Sequence, residues 1–329
     1  MPRSNFAKSM IYQMGVPVAT LPTQGKVYHI LPITTGSDGN DGKTTEYPVK
    51  TIQYAHTYCM TADQNDIAYL YAQSNTGAST TDYIAATAPL VWSKDLCHLI
   101  GVNNGPLFSQ RSRVAWLSTT SASADKVLTT FSGDNCKVEN IQFFCGMNDA
   151  NLSFNVLVSG DRNHFENCHF AGIGHATNDA TGAYSLKVTG SENYFKNCVI
   201  GLDTIIRTGA NYELIVTGGR NVFDDCLIVT YSETSGRCSV QIDNSGGDMR
   251  YTLFRNCTFI DYTTNLATGQ TNVFDMPSSG ATAYVYLDNC RCFGGGAAGI
   301  GSAWSDVDTS IFVSSPIPNT AGGKALAAT

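Results

Sequence analysis

The sequence predicts an all-β chain: a single-stranded, right-handed parallel β-helix, or solenoid, with an N-terminal arm and a short cap helix. Three observations carry this expectation. A Phe-x-Asn-Cys-like strand returns along the chain, its cysteines 30, 28, 31 and 33 residues apart. Within each return the apolar positions alternate at strand spacing, as in Phe165, Cys168 after an Asn, and Phe170. Charged residues make up only 14% while Gly reaches 31, a balance that suits strands joined by tight turns.

The repeat is explicit. Segments Val158–Phe170, Val188–Ile200 and Val216–Ile228 align without gaps, and Leu253–Phe259 and Tyr286–Cys292 keep the second half. An earlier segment, Val138–Phe143, puts Ile141 where the others have Cys. Self-similarity at a fixed period marks stacked units that each contact only their neighbours. Leucine-rich repeats are shorter and richer in Leu, and helical repeats need apolar residues at three-and-four spacing, so coils of parallel strands remain. Stacking turns equivalent positions into files. Ile141, Cys168, Cys198, Cys226, Cys257 and Cys290 form an internal ladder of small apolar side chains, and its Ile member favours packing over chemistry. Asn140, Asn167, Asn197, Asp225, Asn256 and Asn289 suit a corner that enters the left-handed region.

A chain of 329 residues would ordinarily divide into two domains, but a solenoid escapes that limit. Residues 1–27 read as an arm, with Pro17, Pro22 and no acidic residue before Asp38; Arg3, Phe6, Lys8 and Tyr12 are its candidate anchoring side chains. Residues 28–293 read as the β-helix. Near its start, Val49, Ile52, Ala55 and Cys59, with Pro48 in the first turn, describe a short amphipathic helix that closes the open end of the first coil. Asp66–Tyr71 and Leu96–Val102 follow as early strands. The variable stretches Gly172–Gly182, Thr230–Arg237 and Thr263–Gln270 are expected as loops on one side. Residues 294–329 lose the repeat and read as a C-terminal cap and tail.

Net charge and hydropathy exclude several classes. With 20 Lys plus Arg against 27 Asp plus Glu, the net charge is −7, so no nucleic-acid partner is expected. No window approaches eighteen apolar residues and the first 26 residues lack a signal-peptide core, so no membrane partner is expected and assembly in the cytoplasm is. Eleven cysteines in a chain this long do not describe a secreted disulfide scaffold. The state of Cys59, Cys97, Cys145, Cys238 and Cys292, which lie outside the ladder, stays open, with cross-linking of subunits as one hypothesis.

The run Gly36-Ser-Asp38-Gly-Asn40-Asp41-Gly42, then Pro48-x-Lys50-Thr51-Ile52-Gln53-x-Ala55, a strand and Leu99-Ile-Gly-Val102 resembles the opening of the pectate-lyase-like right-handed β-helix superfamily. It is most similar to the β-helical virion proteins of tailed bacteriophages, over about residues 28–293. That superfamily contains lyases, hydrolases, epimerases and inert structural proteins, so the resemblance implies the fold more than the activity. Its enzymes use clustered carboxylates, often with calcium or a neighbouring His, Arg or Lys. Here Asp224-Asp225 is the single adjacent acidic pair, and neighbouring coils have Glu166-Asn167 and Lys196-Asn197 in its place. Gly172-Ile-Gly-His175 loosely resembles an element of the polygalacturonases whose companion elements are missing. Asp38, Asn40 and Asp41 resemble the start of a calcium loop, but Pro48 and Val49 stand where its last ligand belongs. No catalytic residue, metal or cofactor is therefore expected.

Three functions follow from the resemblance. The first is a virion structural protein, a homotrimeric capsid-surface decoration (cement or spike) bound through its arm to the major capsid protein or other virion proteins and exposed on the particle. The second is a tailspike or tail-fibre adsorption protein that binds, and in some cases cleaves, a host surface glycan. The third is a free polysaccharide lyase or hydrolase.

Overall fold

The computed structural model describes residues 12–13, 16–17, 25–32, 36–72, 81–84, 87–102, 112–117, 121–233, 237–243, 250–263, 269–270, 272–276, 283–294, 304 and 311–313. The alternating strands close into coils of three, and each strand pairs in parallel with its equivalents in the coils before and after. Face one holds ten strands, from Val27–Ile30 through Asp66–Tyr71, Cys97–Val102, Lys137–Glu139, His164–Glu166, Tyr194–Lys196, Asn221–Asp224, Arg250–Arg255 and Ala283–Asp288 to Ile311–Val313. Face two holds eight, from Thr81–Ile84 to Arg291–Gly294, and face three seven, from Leu90–Trp92 to Phe274–Asp275. The result is a parallel β-solenoid consistent with a right-handed β-helix, the hand that parallel crossovers favour. No described helix is long and apolar enough to cross a membrane.

Because the register repeats, like side chains stack inside. Phe165, Phe195, Phe223 and Phe254 are fully buried in one column, with ring centroids 4.9, 4.7 and 4.8 Å apart and planes within about 11° of parallel. Burial of each ring stabilises by roughly 1.5–3 kcal/mol. The column thus makes a continuous core that no single coil could form.

Faces one and two meet at a one-residue corner. Asn140, Asn167, Asn197, Asp225, Asn256 and Asn289 sit there at φ of 57, 50, 51, 53, 54 and 51°. A left-handed residue costs roughly 1–2 kcal/mol for most side chains and less for Asn. The amides also stack, Asn167 Nδ2 donating to Asn140 Oδ1 at 2.5 Å and Asn289 Nδ2 to Asn256 Oδ1 at 2.8 Å. The next residue is the ladder cysteine, and its thiol donates to a carbonyl one coil back: Cys168 to Val138, Cys198 to Phe165, Cys226 to Phe195, Cys257 to Phe223 and Cys290 to Phe254, at 3.3–3.6 Å. Ile141 fills the same place without a donor.

Faces three and one meet in a tight turn that is equally regular. Gly133, Gly160, Gly190 and Gly218 stack there, and a Cβ on Gly190 would lie 2.0 Å from the Gly160 carbonyl oxygen. Only glycine lets the backbones approach so closely.

The cap helix is shorter than the sequence suggests. It runs over Ile52–Tyr54 and continues as a wider turn over Ala55–Cys59, taking the place of a face-three strand in the first coil beneath Leu90–Trp92. Pro48 and Val49 are outside it. Val49 bridges Ile30 in parallel, and Thr51, with extended backbone, caps the helix by accepting from Tyr54 N at 3.1 Å. The β-pairing of Val49 outweighs its helical spacing, because the first coil otherwise leaves that edge open. Leu96, read as strand, stands at φ 51°, and the strand begins at Cys97. Arg3, Phe6, Lys8 and most of the arm lie outside the described residues, as does most of 294–329. The backbone of Tyr12–Gln13 pairs antiparallel with Val16–Pro17.

Candidate functional site

Outward positions on face one stack into two files. One runs His98, Lys137, His164, Tyr194, Val222, Leu253 and Tyr286; the other runs Glu139, Glu166, Lys196, Asp224, Arg255 and Asp288. The charges in the second file are engaged sideways and along it. Lys137 lies 2.7 Å from Glu139 and 3.3 Å from Glu166, and Lys196 lies 3.6 Å from Glu166. Asp224 accepts from Arg255 Nε at 2.9 Å and from Tyr194 OH at 2.8 Å. The arginine bonds, and then Tyr194, hold its carboxyl below the usual range, so it is an anion clamped by its neighbours rather than an acid. Asp225, its partner in the adjacent pair, is the left-handed corner residue. The pair therefore points to two different structural tasks.

Carboxylates at the face three to face one turn are engaged as well. Asp95, Asp134 and Asp161 accept from the backbone N–H of Asp134, Asp161 and Ser191, each at 2.7–2.8 Å. A second file runs the opposite way: Asn163, Asn193 and Asn221, all buried, accept from the N–H of Cys136, Asn163 and Asn193 at 2.8–2.9 Å. Outside them Glu192 bridges Arg162 and Arg220, at 2.6 and 2.5 Å. These side chains satisfy turn backbone groups that strand pairing leaves over.

Between faces two and three the connections are long, and each has its own clamp. Asp179 accepts from Thr208 N, Thr208 Oγ1, Gly209 N and Asn211 Nδ2 at 2.7–2.9 Å. Glu213, fully buried, takes Arg207 Nε at 2.8 Å and the Ser185 hydroxyl, while Arg207 Nη1 donates to the carbonyls of Ile173 and Ile205 at 3.0 Å. Asp261 bridges two loops by accepting from Ser232 N and Gln270 N, at 2.8 and 2.9 Å, and burial raises its pKa to about 6. His175 caps a single turn, its Nδ1 accepting from Thr177 N at 3.2 Å. Asp38 likewise holds the N–H groups of Lys50 and Thr51 at 2.9 Å, and Asn40 Nδ2 donates to the Pro48 carbonyl at 2.8 Å, so the calcium-like run builds the turn that leads to the helix.

One half-buried cluster lies where these loops flank the outer surface of face three. The hydroxyl of Tyr212 donates to Asp275 Oδ2 two coils further on, and Gln241 Nε2 donates to the same oxygen at 3.3 Å. Arg237 and Cys238 lie close enough to bias the phenol electrostatically. Burial first, and then Asp275, raise the pKa of Tyr212, so the phenol stays protonated and serves as a hydrogen-bond donor rather than a base. Lys187 and Ile215 continue the same outward file beneath Gln241. This arrangement places an aromatic, an amide and a carboxylate together; it contains no paired nucleophile and base.

The ladder cysteines are buried, as are Cys97, Cys145 and Cys292, whereas Cys59 and Cys238 are half-buried, and all eleven are free thiols. Cys136 is a further buried thiol that the repeat does not announce; it stacks next to Cys97 because Val138 pairs with Leu99. Among the described residues no group of three or more His, Cys, Asp or Glu side chains could hold a metal ion. The buried Asn163 file was visible in the aligned segments as an unchanging Asn. Tyr212 and Asp275 are 63 residues apart, and no local pattern links them.

No family model matches this chain, and no curated protein matches it. Among solved structures it is similar to pectate lyase Pel9A, with 13% identity, 85% of this chain and 68% of that one covered, and a TM-score of 0.54. A rhamnogalacturonan lyase aligns with 12% identity over 80% and 74% of the two chains, at a TM-score of 0.45. The pectin methylesterase PemA from Erwinia chrysanthemi aligns with 13% identity over 89% and 93%, also at 0.45. At 13% identity the likeness to Pel9A is one of fold alone, that of a parallel β-helix.

Proposed function

We propose that this chain is a non-catalytic structural protein of a tailed-phage particle, a homotrimeric decoration standing on the capsid surface and attached through its N-terminal end. The observation that carries the reading is the engagement of its carboxylates. Asp95, Asp134, Asp161, Asp179, Asp224 and Asp261 each accept from backbone or basic partners that fix the solenoid. A hydrolase or lyase of this architecture needs carboxylates turned to substrate or metal instead. The sequence resemblance supplies the particle, and the acid-free arm supplies the attachment. Immunogold labelling of purified particles tests it: label over the head is expected, and label confined to the tail tip overturns it.

A second reading, an adsorption protein that binds host glycan, is favoured by the Tyr212, Gln241 and Asp275 cluster. Aromatic faces beside hydrogen-bonding side chains suit sugar rings. Retention of the protein on immobilised host-surface polysaccharide, lost in Tyr212→Ala, would support that reading over the first.

A further inference from the structure

The turn that closes the first coil meets the second coil through one buried titratable group from each side. Ile52–Tyr54 and Ala55–Cys59 bury Ile52, Ala55 and His56. A single extended residue bounds the turn at each end, Thr51 at φ −120° and ψ 146° and Met60 at φ −77° and ψ 149°. Such element-terminal residues are where a hinge absorbs a change of backbone angle, so the turn can lift as a unit.

From the second coil, Asp82 reaches the first N–H of the turn, accepting from Ile52 N at 2.7 Å. It is 3% exposed and stands in register with Val114 and then Phe143, both fully buried, so its carboxyl lies in an apolar file inside the solenoid. The charged groups that face it are Asp38, which holds the Lys50 and Thr51 N–H groups, and Lys50. Burial first, with Asp38, outweighs the Ile52 bond and Lys50 and raises the pKa of Asp82 from 3.8 to about 7.

From the turn, His56 reaches back to the second coil. Its Nε2 accepts from the N–H of Ser93 and of Lys94, both at 3.2 Å, which assigns the neutral ring with its hydrogen on Nδ1. A proton on Nε2 would break both bonds. The ring is 3% exposed and its centroid is 4.5 Å from that of buried Trp92. Among the described residues the charged group that faces it is Lys94, whose Nζ donates to the carbonyls of His56, Thr57 and Met60 at 2.5, 3.0 and 2.7 Å. Burial first, and then Lys94, lower the pKa of His56 from 6.5 to about 4. Cys59, at the end of the turn, faces Asp38, Asp41, Lys94 and Lys43; burial holds its thiol above the usual range, so it stays neutral.

We propose that this turn is a proton-compensated closure: when it lifts, Asp82 releases a proton and His56 takes one up, so that the responses of the two sides to pH cancel. With the turn shut both groups are buried and neutral, and with it open both are solvated and charged. Opening therefore exchanges no net proton with solvent wherever both changes occur, from about pH 4 to 6.5. Taken singly, the two contributions have opposite sign. Asp82 stabilises the shut turn fully below about pH 4 and this is lost as pH rises through 7, whereas the contribution of His56 is full above about 6.5 and is lost as pH falls through 4. The end of the core thus stays covered in mildly acidic and near-neutral surroundings alike.

The test is hydrogen exchange of the full-length protein, read at residues 52–60, corrected for the intrinsic pH dependence of exchange and referred to the core strands at Phe195 and Phe223. Wild type is expected to show a constant opening equilibrium from about pH 4 to 6.5. Over that range each unit of pH rise is expected to make opening about tenfold rarer in Asp82→Asn, where His56 responds alone, and about tenfold more frequent in His56→Gln. A wild-type equilibrium that changes about tenfold per unit, or single variants as flat as wild type, overturns the proposal. Titration of the His56 ring by NMR in folded wild type needs no variant: a midpoint near 4 is expected, and one near 6.5 overturns the proposal.

Discussion

The corner between faces one and two and the connections between faces two and three solve one problem in opposite ways. At the first, six coils use the same device: Asn or Asp at φ near 50–57°, then a buried apolar side chain, in five coils a cysteine whose thiol reaches back one coil. At the second, the clamps of successive loops are built differently from one another: four donors on Asp179, an ion pair at Glu213, a carboxylate bridge between two loops at Asp261. A repeated contact is supported from both neighbouring coils, so its residue type is fixed by the stack. A clamp that occurs once is free to vary, and the Tyr212 and Asp275 pair lies beside such clamps.

The comparison can be broken first at the core column that the repeated corner orders. Phe223→Ala removes a ring stacked between Phe195 and Phe254 and is expected to cost about 3–5 kcal/mol. Urea unfolding should show the loss in the main transition; a variant as stable as wild type would mean that the coils do not share one core.

A titration comes next. Asp82 is buried in the second coil against the first, accepts from Ile52 N at 2.7 Å, and has its pKa raised from 3.8 to about 7, by burial first and by the nearby Asp38. The folded state therefore binds a proton that the unfolded state releases near pH 4. The resulting stabilisation is complete below about pH 4 and is lost as pH rises through 7, an effect of up to about 4 kcal/mol. Urea midpoints at several pH values should show Asp82→Asn gaining on wild type as pH rises from 4 to 7.5; a constant difference would reject this role. Asp261, raised to about 6, acts in the same direction over a narrower window.

Asn197 tests the corner itself. Asn197→Ala is expected to cost about 1–2 kcal/mol, because alanine resists a φ of 51°, whereas Asn197→Gly should recover most of that. If both lose equally, the side chain rather than the backbone conformation is what the position needs. The smallest global effect is expected from a loop clamp. Asp179→Ala should speed hydrogen exchange at Thr208 and Gly209 while leaving the unfolding midpoint nearly unchanged.

The same contrast explains what could be read in advance. Phe165, Phe195 and Phe223 and the Asn-Cys pairs announce coil, face and register, because stacking forces the same solution at each period. The helix boundary was misplaced because Val49 has helical spacing but a strand partner in Ile30, which sequence spacing does not reveal. Cys136 and the Asp95, Asp134 and Asp161 file were missed because they follow the turn rather than the strand. The cluster around Tyr212 was beyond reach, since the coils bring together residues with no sequence relation.

Incubation of the purified protein with a panel of acidic and neutral polysaccharides asks most directly whether this solenoid is a scaffold or an enzyme. No accumulation of unsaturated or reducing ends above a heat-denatured control is predicted, even where a polysaccharide is bound. Reproducible release of either from one substrate, abolished by Tyr212→Phe or Asp275→Asn, would contradict the scaffold reading and place catalysis beside face three.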